Sequence, residues 1–174
     1  MIQVDRTQHE SALRLLRGSV VKQTNPMSMI NERIALCRGT ERSNCIGTSL
    51  YIAGEKDKDE FHRLSEAYES LMNLTKLPNP TCGCLIAWHY HHLISAGECG
   101  IYTVHMGVVT SINPLLVTSR DGCMGKLIED EPFEDTTKPY TVDYKIASSI
   151  AYYLPTLQRL SKLTTKMEFP IKRA

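Results

Sequence analysis

Between residues 84 and 133 the chain carries four short segments, CLIAWHYHHL, GIYTVHMGVVTSI, PLLVTSRDG and GKLIEDEPF, all rich in β-branched or aromatic residues. INP separates the second from the third, and DGCMG the third from the fourth. Short runs of this composition, divided by Gly, Pro, Asn and Asp, are strand signals, and their close succession predicts an antiparallel meander. A sheet must bury its apolar face against something, so the flanking segments have to supply the cover.

Those segments have helical spacing. HESALRLLRGSVVKQ places Leu13, Leu16 and Val20 close to one face, predicting a first helix; TNPMS breaks it, and MINERIALC predicts a second, short one. After RGTERSN, the run CIGTSLYIAG sets Ile46, Leu50 and Ala53 on a shared helical face, with Gly54 as a natural stop. Residues 61–77 hold Phe61, Leu64, Tyr68, Leu71 and Leu74 at spacings that predict a long amphipathic helix, with Asp57, Asp59 and Glu60 at its electropositive start. LPNPTCG is a loop. At the end, YKIASSIAYYLPTLQRLSKL spaces Ile146, Ile150, Tyr153, Leu157 and Leu160 as a closing helix interrupted at Pro155. Helices, a meander and a helix make an α+β order: helices on an antiparallel sheet of about four to six strands, in one domain over 1–174.

Composition removes several function classes. Twenty Lys and Arg against 19 Asp and Glu leave a formal charge of +1, so no bulk electrostatic attraction points to nucleic acid or an anionic membrane. No apolar run approaches the ~20 residues needed to span a bilayer. MIQVDRTQHESALRLLRG has charges throughout and no apolar h-region, so a cytoplasmic setting is the expectation, with signal-independent export left open. The six cysteines then read as mostly free thiols. The glycines are dispersed and none heads a phosphate-binding loop, which argues against a nucleotide-driven enzyme. IEDEPFED reads as a solvated acidic loop, and Tyr140, Tyr144, Tyr152 and Tyr153 as core or interface aromatics.

Two residues raise the question of chemistry. Cys45 opens a helical run behind Asn44, which can cap it, and the helix dipole there favours a thiolate. The alternative is a small buried apolar residue, which most free cysteines are. His105 sits in the apolar strand YTVHMGVV ahead of Gly107, and a buried imidazole is expensive unless another polar group uses it.

The order of NCIGTSLYIAG, GCLIAW and HMGVV resembles the papain-like NlpC/P60 and CHAP cysteine hydrolases. In those a Cys opens a helix packed on an antiparallel sheet, and a Gly-Asp-Leu-Val-x-Trp strand precedes a His-Val-Gly-Ile-Val strand. The resemblance covers Asn44 to about Glu131, with a catalytic core of about 31–135. It implies Cys45 as nucleophile, His105 as general base and Thr118, with Ser119, Arg120 and Asp121 as neighbours, as the residue orienting His105. Asn44, Trp88 and His91 are the candidate substrate-binding residues, His91 lining a groove with His92 and Glu98 where that segment binds no metal. It departs from the family's pattern at Asn44 and Ile46, where Asp and Ser are usual, and at Thr118, where His, Asn or Gln is usual. The implied reaction is hydrolysis of a peptide or peptidoglycan-like amide through an acyl-enzyme, with no cofactor or metal.

Two other readings stay open. The chain can be a catalytically silent binding or structural module of the same fold. It can also be a zinc-binding domain, because Cys82, Cys84, His89, His91, His92 and Cys99 are zinc-ligand types, although their spacing matches no usual paired motif.

Overall fold

The computed structural model describes residues 25–95, 98–143, 147–156 and 158. The helix expected over 9–23 lies outside them, as does the end of the closing helix expected from Pro155 onward, apart from residues 155, 156 and 158. Asn25 opens helix α1, Pro26–Cys37, by accepting the Met27 N–H at 3.0 Å, and Pro26 takes a position where a missing N–H does no harm. Helix α2, Cys45–Ile52, is capped by Asn44. Helix α3, Leu64–Met72, starts with Glu66 reaching back to accept the Arg63 N–H at 3.1 Å. Strands β1 (Thr75–Leu77), β2 (Leu85–Ser95), β3 (Glu98–Ile112), β4 (Leu115–Arg120) and β5 (Leu127–Pro132) follow. Helix α4, Phe133–Lys138, runs into a π-helical turn, Pro139–Asp143, and strand β6 is Ser149–Leu154.

The six strands form one antiparallel sheet in the order β1-β6-β2-β3-β4-β5. With four helices among the described residues packed on this open sheet, the fold is α+β. No described helix is long and apolar enough to cross a membrane.

Strand pleating sends alternate side chains to opposite faces, and both faces are covered. Leu85, Ala87, Met106, Val108, Ala151 and Tyr153 pack with α1, α2 and α3. Cys84, Ile86, Trp88, Val109 and Val117 form a second core on the other face, with Phe133 of α4 and Tyr140 of the π-turn against it. Burial on both faces explains why CLIAW reads as a continuous apolar run instead of an alternation.

Three expectations change. The helix expected over 61–77 is confined to Leu64–Met72, because residues 75–77 are drawn into the sheet, where Thr75 pairs with Leu154. The closing helix is absent over 149–154: that segment is β6, inserted between β1 and β2. Ala151 and Tyr153 face the helices while Ile150 and Tyr152 face the second core, so a strand with two apolar faces had the look of a helix. The acidic stretch expected to be a solvated loop is instead β5 followed by α4, anchored by Phe133.

Candidate functional site

Asn44 organises the start of α2. Its Oδ1 accepts the Gly47 N–H at 2.9 Å, its Nδ2 donates to the His62 carbonyl at 2.7 Å, and its backbone pairs antiparallel with Cys123. The pairing continues on both sides: Cys45 N–H donates to the Gly122 carbonyl at 3.2 Å, and Met124 N–H donates to the Ser43 carbonyl at 2.9 Å. Gly47 is required here, since an added Cβ would overlap the Glu60 carbonyl. Cys45 is therefore the first residue of a helix, as expected, but its N–H is occupied and the residue is only 5% exposed. Burial pushes the thiol up to about 11, against a smaller opposing effect from the backbone of Met106 and Ile46.

His105 faces the other way. Its neighbour Met106 belongs to the core that holds Cys45, whereas the imidazole stacks on Tyr140, ring centroids 4.4 Å apart, and lies 5.0 Å from Trp88 in the second core. Nε2 pairs with Ser119 Oγ at 3.2 Å and Nδ1 with the Tyr140 hydroxyl at 2.9 Å. Burial pushes its pKa down to about 3, so the ring is neutral near pH 7. Gly107 keeps this packing possible, because a Cβ there would overlap Val117.

The structure thus does not join the expected pair: Cys45 and His105 lie on opposite faces of the sheet. Nor does Thr118 orient His105. Its Oγ1 accepts the Asp130 N–H at 3.1 Å, and the residue that reaches the imidazole is Ser119, one place along the strand and so on the other face. Trp88 is fully buried, and its Nε1 has no hydrogen-bond partner among the described residues. Asn44 is buried as a cap, and exposed His91 pairs through Nε2 with Ser149 Oγ at 2.8 Å.

The Cys- and His-rich segment is dispersed as well. His89 is buried and held by Tyr153 at 3.0 Å and Thr103 at 3.2 Å, and His92 stacks on Tyr90. Among the described residues no three His, Cys, Asp or Glu side chains come together closely enough to hold a metal.

What the sequence did not single out is Arg120. It is 2% exposed, and its guanidinium donates to Thr48 Oγ1 at 2.8 Å, the Gly125 carbonyl at 2.9 Å, the Cys37 carbonyl at 3.1 Å and Asp59 Oδ2 at 3.3 Å. One side chain so ties β4 to α2, to the end of α1 and to the loop before α3. The Cys37 thiol beside it is pushed up to about 12 by burial, reinforced by the Asp59 carboxylate. SRDG gave no hint of this, because nothing local marks an exposed turn Arg from one folded inward.

Arg120 forms the floor of a cleft of about 720 Å³ between residues 38–42 and 120–129, whose charged lining is Arg38, Arg42, Arg120, Lys126, Glu41 and Glu129. Arg38 grips Glu129 with two bonds, Nε to Oε1 at 2.7 Å and Nη2 to Oε2 at 2.8 Å. A neighbouring hollow of about 580 Å³ shares Thr40, Glu41 and Arg42 and adds Lys58, Asp59 and Glu60. No protein-family model, curated protein or solved structure matches this chain.

Proposed function

We propose that this chain is a non-catalytic binding module on a papain-like frame, with its ligand site in the cleft between residues 38–42 and 120–129. One observation carries the reading: the thiol and imidazole that a cysteine hydrolase must join face opposite sides of the sheet, and the imidazole has both nitrogens engaged. Nucleophilic catalysis by a thiol needs a base within hydrogen-bond reach and an accessible sulfur, and among the described residues Cys45 has neither. The N–H that would stabilise an oxyanion is bonded to Gly122. The cleft, by contrast, is open and lined by side chains of both charges, and it is the site we assign to the ligand.

The second reading is a cysteine hydrolase acting on a peptide or peptidoglycan-like amide. The observation favouring it is Cys45 as the first residue of α2, where the helix dipole favours a thiolate.

Site-resolved alkylation across pH separates the two. The binding-module reading expects Cys45 to label more slowly than exposed Cys123 at every pH, with the same profile in His105→Gln. Labelling of Cys45 with an apparent pKa well below the ~8.5 of a free thiol, lost in His105→Gln, would falsify it and restore the hydrolase.

A further inference from the structure

We propose that the cleft takes a small ligand carrying two or more oxyanions, carboxylate or phosphate, and that Glu129 occupies Arg38 as a stand-in which the ligand displaces. The inference rests on the cleft being the ligand site. The four cations of the lining do different work. Arg120 is spent on Thr48, Asp59 and two carbonyls, so it shapes the floor without being available to a ligand. Arg42 and Lys126 are exposed and form no ion pair among the described residues. Arg38 presents its guanidinium as a fork, the geometry that matches a carboxylate or a phosphate, and Glu129 already fills that fork.

The pair is easily exchanged. The Arg38 side chain is 63% exposed and that of Glu129 32%, so water and salt weaken their attraction and little is lost when another oxyanion takes over. Once Glu129 swings off Arg38, the cleft presents Arg38, Arg42 and Lys126 against the carboxylates of Glu41 and the displaced Glu129. One oxyanion on Arg38 leaves two cations for a second, which is why a ligand with at least two acidic groups fits better than a monoanion.

The test is titration of the intact protein with inorganic phosphate and with tricarballylate, followed by the backbone amide resonances of residues 38–42 and 120–129. A library of uncharged fragments is screened by the same readout. The expected result is saturable shifts confined to those residues, weakened by added NaCl. Glu129→Gln should tighten binding about two- to fivefold, the range an exposed ion pair is worth, and Arg42→Gln should weaken it by a similar factor. An unchanged or weaker affinity in Glu129→Gln overturns the exchange. Uncharged fragments binding the cleft while neither anion does overturns the anionic class and leaves the binding site standing. Silence from anions and fragments alike overturns both.

Discussion

His105 is the residue whose role changes most between sequence and structure. It serves the second core, where a neutral ring satisfies the hydroxyls of Ser119 and Tyr140 and stacks on the latter. Truncation would open a cavity and take the imidazole away from the buried Ser119 hydroxyl, so His105→Ala should lower unfolding free energy by about 3 kcal/mol in urea denaturation. A loss under about 0.5 kcal/mol, the level of an inert surface substitution, would show that the imidazole is not structural. Ser119, not Thr118, is the residue that reaches the ring, and a one-place shift along a strand exchanges one sheet face for the other.

Arg120 works between elements. Its ion pair with Asp59 is buried on both sides, with side chains 3% and 6% exposed, so neither charge has water to fall back on. Removing one partner leaves the other uncompensated, and Asp59→Asn should destabilise by about 3 kcal/mol or more. The double substitution Arg120→Met with Asp59→Leu should recover part of that loss, because no buried charge then remains. Equal losses in the single and double variants, measured by urea denaturation, would mean that the packing around Arg120 matters and its charge does not. Thermal melts should also show Gly47→Ala less stable than Gly39→Ala, since only the first meets the Glu60 backbone.

At the scale of the whole molecule, two buried histidines couple folding to pH. Burial holds His89 at about 4 and His105 at about 3, both below the ordinary 6.5, so the unfolded chain binds protons that the folded one refuses. Their contribution is complete above pH 6.5 and is lost as pH falls toward those folded values, at about 1.4 kcal/mol per pH unit for each ring. Urea midpoints should therefore fall steadily from pH 7 to pH 5, before most carboxylates titrate. A flat profile over that interval would mean that neither ring is held neutral by the fold. The sheet carries this dependence because both of its faces are covered, one imidazole lying under each cover.

The sequence by itself determined the four-strand meander, the two short helices before it and the α+β class, since each rests on local spacing, turn residues and caps such as Asn25 and Asn44. It also placed Cys45 at a helix start, which is a local property. Tertiary structure decided the rest. Whether 149–154 forms a strand depended on an open place between β1 and β2, because a segment apolar on both faces suits either periodicity. Whether Cys45 meets His105 depended on which sheet face α2 covers, and whether SRDG points inward depended on Asp59, 61 residues away in the chain. Contacts of that separation are set by how layers stack, and no local pattern encodes them.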